Sequence, residues 1–294
     1  VAHGQFNIQV PVTSNDEVGG LSQSFNQMAK EVSRLLEESG EKARMQNELK
    51  TAKTVQETLF PASSANFGNI EISGFYEPAS ECGGDWWHYC EMGNFVFLWI
   101  GDATGHGAAA ALITSAAKSA ASIIENLEGI SPAQALQLIN TAIHGTSKGK
   151  MMMTFFLAAI DKTSGEMSYS NASHELPYVL RNKRPLDKTE IEMLDQSNGP
   201  RLGYAKDSQY NQASVQLNQG DIVLFYTDGI PELKDKNGKS WGERRYINAV
   251  LDSIDSESLD AFSEKIRGKI QAYRNGSALE DDLTYFAIRI KPAD

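Results

Sequence analysis

The apolar positions of this chain change their spacing along its length, and each change marks a different kind of element. Phe6, Ile8, Val10 and Val12 alternate, which predicts an extended segment ending at Pro11-Val12. Ser14-Asn15-Asp16-Glu17 then offers a helix N-cap with acidic first-turn residues. Val18, Leu21, Phe25, Met28, Val32 and Leu35 recur at steps of three and four, an a/d seam sustained over more than two heptads. So narrow a seam suits a partner helix better than a globular core, although a surface helix of a larger domain shows the same spacing. The pattern slips at Ser39-Gly40, a phase shift or hinge in one reading and a plain linker in another. It resumes through Met45, Leu49, Ala52, Val55 or Gln56, and Leu59, and stops at Phe60-Pro61, where the proline disfavours helix in the residue before it.

From Ala62 onward the pattern is different. Strand-like runs fall at 70–76, 95–100, 154–160, 166–171, 176–181, 214–217, 221–226 and 283–290, and helical spacing at 107–125, 131–147, 243–252 and 256–273. Neighbouring strands are joined by turns such as Lys162-Thr163-Ser164-Gly165 and Asn218-Gln219-Gly220. That order favours antiparallel sheets with helices packed outside them, an α+β fold, over regular βαβ winding. Met151–Met153 lead a strand and read as core filler.

The ends of these strands carry the chemistry. The stretch from Glu81 to Gly107 reads as a hairpin with Asp85 after a Gly-Gly turn and Asp102 at the tip of the run Phe95–Ile100. Asp221–Tyr226 ends likewise on Thr227-Asp228-Gly229, and Asp281-Asp282 stands directly before Leu283–Ile290. Each aspartate alone could be a turn or cap residue; the recurrence of strand–Asp–Gly argues for more. A carboxylate at the tip of a core strand is costly to desolvate, and facing carboxylates repel unless a cation sits between them. With no His or Cys cluster nearby, hard oxygen ligands of this kind suit Mg²⁺ or Mn²⁺ rather than zinc or copper. Gly105-His106-Gly107 is not followed by the lysine a phosphate-cradling P-loop requires. His106 reads equally as a general acid or as a structural residue orienting the loop and helix start and stays outside the catalytic set, and His174, Cys82 and Cys90 read as structural.

Bulk properties narrow the field. The 294 residues are 41% hydrophobic and 22% charged, as in a folded globular chain. A net charge of −11 excludes a nucleic-acid backbone as the expected partner. The two cysteines make no zinc spacing and predict a reducing, cytosolic compartment. No run is apolar enough to span a bilayer and there is no signal peptide. The chain starts at Val1 rather than methionine, which points to a piece of a longer protein.

Two resemblances fit this pattern. Asp16–Leu21 with Ser24–Met28 resembles the start of the second helix of a HAMP domain, and the alternating stretch before it resembles the HAMP connector. This covers residues 1–38 and implies a transmembrane sensor upstream, with 39–60 as a signalling helix. Gly83-Gly84-Asp85, Gly101–Gly107, Thr227-Asp228-Gly229 and Asp281-Asp282-Leu283-Thr284, in that order, resemble the metal-dependent (type 2C, PPM) serine/threonine phosphatases of the bacterial sporulation and stress-response branch. So do Leu59-Phe60-Pro61, Gly199–Gly203 and Asn171–Pro177, where that branch usually has glycine at Ser173.

This second resemblance implies a four-layer α-β-β-α sandwich over residues 61–294, with two metal ions at one edge. It implies Asp85 and Asp102 as ligands, the Ala103 carbonyl in the glycine-carbonyl position, and Asp228 and Asp281 on the other ion. Asp282 is an adjacent candidate, but strand neighbours point to opposite faces and the family pattern favours Asp281. The implied reaction is one-step attack of an activated water on phosphoserine or phosphothreonine. The expected substrate is a phosphorylated STAS-type anti-sigma-factor antagonist, and the expected assembly a homodimer through the N-terminal helix, on the cytoplasmic side of an inner membrane. The eukaryotic enzymes grip phosphate with an N-terminal arginine. None matches near Asp85, so the metals and the docked partner are expected to hold it. The rival readings are a pseudophosphatase scaffold and a metal-dependent phosphodiesterase.

Overall fold

The computed structural model describes residues 9–14 and 16–292, so the alternating positions Phe6 and Ile8 and the residue Asn15 lie outside it. The chain divides into two compact units, Val1–Ala52 and Lys53–Asp294. Helix α1 (Glu17–Glu57) begins in the first and ends in the second. Its start is capped by Asp16, whose Oδ1 accepts the N–H groups of Val18 and Gly19 at 3.1 Å. The helix runs unbroken through Ser39-Gly40, where the apolar pattern slips. Backbone i→i−4 bonding does not depend on that pattern, and the surroundings are strong helix formers with Arg44 paired to Glu48 at 3.1 Å. The seam residues Val18, Leu21, Met28 and Leu35 are exposed in the single chain.

The second unit is built from two antiparallel sheets. Strands β1 (Ser64–Phe67), β2 (Ile70–Glu77), β3 (Asp85–Met92) and β4 (Phe95–Ala103) come first, then helices α2 (Ala108–Ile124) and α3 (Pro132–Ser147). Strands β5 (Met153–Asp161), β6 (Glu166–Ala172), β7 (Tyr178–Leu180), β8 (Glu192–Met193), β9 (Ala213–Gln216) and β10 (Ile222–Tyr226) follow. The one-turn helix α4 (Gly229–Glu232), helices α5 (Glu243–Leu251) and α6 (Leu259–Arg274) and strand β11 (Leu283–Ile290) complete it. One sheet has the order β1-β2-β11-β10-β7-β8 and the other β3-β4-β5-β6-β9.

Three apolar layers explain why so many strands read as continuous apolar runs. On β5, Phe155 and Leu157 pack towards α2 and α3, while Phe156, Ala158 and Ile160 join the core between the sheets. On β10, Val223 and Phe225 enter that central core, and Ile222, Leu224 and Tyr226 pack under α5 and α6. A strand covered on both faces needs apolar side chains at every position, so alternation disappears. The result is the four-layer α-β-β-α sandwich expected from the sequence. The short strands β1 and β8 escape sequence reading because they are brief edge strands with exposed positions.

Candidate metal-dependent active site

Asp85 and Asp102 are directly paired residues of the β3–β4 ladder, so their side chains share one face at the mouth between the sheets. From the other sheet, β10 pairs with β11 through Tyr226 and Tyr285, which brings Thr227-Asp228 and Asp281-Asp282 to the same end. The turn at the head of β3 must be glycine. A β-carbon on Gly83 would stand 2.1 Å from the Tyr76 hydroxyl and 2.2 Å from Asp282 Oδ2; one on Gly84 would stand 2.7 Å from the Ala103 carbonyl oxygen.

The Asp85 side chain is the stitch between the sheets. It is buried, and its Oδ2 accepts hydrogen bonds from the hydroxyls of Thr227 (2.8 Å) and Thr284 (2.5 Å). Burial drives its pKa well above the ordinary range, followed by repulsion from Asp102 and Asp282, against which the two threonines act. Asp282 is equally buried, but both of its oxygens serve the backbone: Oδ1 accepts Ala79 N–H at 2.8 Å, and Oδ2 accepts Gly84 N–H at 2.6 Å and Asp85 N–H at 3.3 Å. It therefore clamps the loop that carries Asp85.

Asp102 and Asp228 are half-buried, and Asp281 stands at the rim. Asp102 is pushed up to about 8, first by burial and then by Asp228, Asp281 and Asp282. Asp228 and Asp281 are raised too, burial being the first cause in each; repulsion from Glu232 adds to it at Asp228, and from Asp228 and Asp282 at Asp281. The opposing cation is Arg201, which acts on Asp102 and Asp228. Among the described residues no three His, Cys, Asp or Glu side chains already stand close enough to hold an ion. The donor set nevertheless fits one: mutually repelling hard carboxylates share one mouth, with neither histidine nor cysteine among them. A divalent cation would relieve the same repulsion that raises their pKa values.

Sequence reasoning did not single out four supporting residues. Thr227 and Thr284 stand next to or near the aspartates, but nothing in one chain distinguishes a site hydroxyl from a β-former. Gln56 is buried on the last turns of α1; its Oε1 accepts Gly83 N–H at 3.0 Å and its Nε2 donates to the Gly83 carbonyl at 2.7 Å. Its signal in the sequence is a polar residue at one of the two alternative seam positions, Val55 or Gln56. Gln56→Leu strands both backbone groups of Gly83, and we expect a loss of about 1–3 kcal/mol in urea unfolding; an unchanged midpoint would show the clamp to be dispensable. The fourth, Arg201, sits within Gly199–Gly203. His174 is buried, paired through Nδ1 with the Thr154 hydroxyl at 2.8 Å, and held neutral by burial with its pKa lowered to about 3.

The two antiparallel sheets and their flanking helices make a PP2C-like fold. Residues 93–291 match the family model for Stage II sporulation protein E (SpoIIE), and the chain belongs to that family. Residues 1–34 match the HAMP domain. Among curated proteins, the chain is 26% identical over 247 residues to phosphoserine phosphatase RsbU of Bacillus subtilis, covering 84% of this chain and 71% of that one. It is 24% identical over 321 residues to protein IcfG of Synechocystis, 98% of this chain but 49% of that one, so it spans about half of IcfG. Among solved structures, the SiaA PP2C domain of Pseudomonas aeruginosa aligns with a TM-score of 0.70 at 21% identity, over 84% of this chain and 98% of that one. The SpoIIE phosphatase domain with a fragment of its regulatory domain, from B. subtilis, aligns at 0.62 and 19% identity, over 78% and 65%. RsbX in complex with magnesium aligns at 0.57 and 14%, over 78% and 98%.

Proposed function

We propose that this chain is the output module of a membrane-linked sensor, and that it hydrolyses phosphoserine or phosphothreonine on a partner protein. The observation that carries the reading is the convergence of Asp102, Asp228 and Asp281 on one mouth of a SpoIIE-family sandwich. In this reading Asp85, Asp102, Asp228, Asp281 and the Ala103 carbonyl would hold two Mn²⁺ or Mg²⁺ ions, Asp85 with its Oδ2 held by the hydroxyls of Thr227 and Thr284. Asp282 fixes the Gly83-Gly84-Asp85 turn. When bound, the ions supply a water acidic enough to attack phosphorus at neutral pH and a positive field for the phosphoryl oxygens. Asp281 is preferred to Asp282 because the latter's oxygens already accept three backbone N–H groups.

The proposed substrate is a phosphorylated STAS-type anti-sigma-factor antagonist in a partner-switching pathway. Support comes from the likeness to RsbU, a phosphoserine phosphatase, and from the solved structure of the RsbU and RsbW domains of Rv1364c from Mycobacterium tuberculosis, with a TM-score of 0.64 at 24% identity. The HAMP match and the exposed seam of α1 support a membrane-linked homodimer; among the described residues no helix is long and apolar enough to cross a membrane. The test is a substrate panel with Mn²⁺ present. We expect turnover of a phosphoserine STAS-domain protein at least about tenfold above a cyclic dinucleotide or a nucleotide phosphodiester, and the reverse order would favour a phosphodiesterase.

A further inference from the structure

Arg201 lies one residue from Leu202, which is bridged to the strand next to Asp102, and its charge acts on both Asp102 and Asp228. The segment that carries it is fixed from several sides. Leu202 and Met153 exchange two backbone hydrogen bonds, at 2.9 and 3.0 Å, and Met153 in turn pairs with Ala103, the neighbour of Asp102. The buried amide of Asn140 accepts Gly203 N–H at 2.8 Å and donates to the carbonyls of Ala205 and Lys206 at 2.9 and 3.2 Å. Upstream, the Ser173 hydroxyl donates to the Gly199 carbonyl at 2.7 Å, and Ser173 itself takes a positive φ of 58°, a conformation that favours glycine.

Leu202 is wholly buried while Arg201 is turned out to solvent, as alternate residues of an extended segment are. Among the described residues no hydrogen bond or ion pair engages the Arg201 guanidinium. An anchored backbone thus presents an unengaged planar cation at the rim of the site. Its fork of N–H donors matches two oxygens of a phosphoryl group, a fit that lysine lacks.

We propose that Arg201 is a phosphate-binding residue of this site, its guanidinium taking two non-bridging oxygens of the substrate phosphoryl group and of the inorganic phosphate product. The inference rests on the phosphatase reading above. It supplies, from a different part of the chain, the arginine that no position near Asp85 provides.

The test compares wild type with Arg201→Ala and Arg201→Lys at saturating Mn²⁺, on a phosphoserine protein, with inorganic phosphate as inhibitor. We expect Arg201→Ala to raise both KM and the phosphate inhibition constant about ten- to a hundredfold, and Arg201→Lys to recover part of that loss. The Mn²⁺ concentration for half-activation should stay the same or fall, because a neighbouring positive charge has been removed. Arg201→Ala with KM and phosphate inhibition within about twofold of wild type overturns the assignment. So does a variant that loses Mn²⁺ affinity together with phosphate affinity, because Arg201 would then be shaping the carboxylates. A wild-type protein that releases no phosphate overturns the phosphatase reading and this inference with it.

Discussion

Asp102→Asn and Asp228→Asn are each expected to abolish phosphate release and yet to make the metal-free protein more stable. Activity should fall by at least about a hundredfold, since even the outer partners of metal ligands cost 10–100-fold when removed. The gain in stability follows from the raised carboxyls: both lie among like charges in a half-buried mouth, and the neutral amide removes one of those charges. A carboxyl raised in the fold contributes stability that is complete below its unfolded pKa and lost as pH rises through its folded pKa. For Asp102 that window runs from 3.8 to about 8. Metal-free wild type should therefore lose stability between about pH 5 and pH 8.5, and Asp102→Asn should flatten the decline. Melting curves in chelator at the two pH values check this, each kcal/mol relieved appearing as about 2–4 °C. A variant that melts below wild type at pH 8.5 would contradict it.

Asp282→Ala should produce the largest loss of stability at the site. Three backbone N–H groups, of Ala79, Gly84 and Asp85, lose their acceptor in a buried loop. An unsatisfied buried donor costs about 1–3 kcal/mol, and allowing for partial rescue by water we expect about 3–5 kcal/mol in urea unfolding. Asp282→Asn keeps one acceptor oxygen and should lose less. Mn²⁺ affinity separates the neighbours further: Asp281→Asn should weaken it strongly, and Asp282→Asn far less. The opposite order would make Asp282 the ligand and Asp281 the bystander.

Much of this molecule was legible in its sequence. The recurring strand–Asp–Gly ends placed Asp85, Asp102, Asp228 and Asp281-Asp282 at strand termini, and the fold brings those termini to one edge because β3–β4 and β10–β11 are antiparallel pairs. What remained hidden was division of labour. Asp281 and Asp282 are chemically identical in sequence, where the family pattern alone favours Asp281; in the fold, burial and three backbone N–H groups set Asp282 apart. Gln56, Thr227 and Thr284 act through contacts with residues 27, 142 and 199 positions away, which no local pattern records. The slip in the heptads at Ser39-Gly40 tracks the side chains, whereas the helix itself is held by backbone bonds and continues.

As proposed, these strand-end carboxylates make a divalent-cation site that removes phosphate from protein serine. Single-turnover release of ³²P from a phosphoserine STAS-domain protein tests it most directly, run with Mn²⁺, with chelator, and with Asp228→Asn. Release is expected only from wild type with Mn²⁺. Equal release in chelator, or full release by Asp228→Asn, would contradict it.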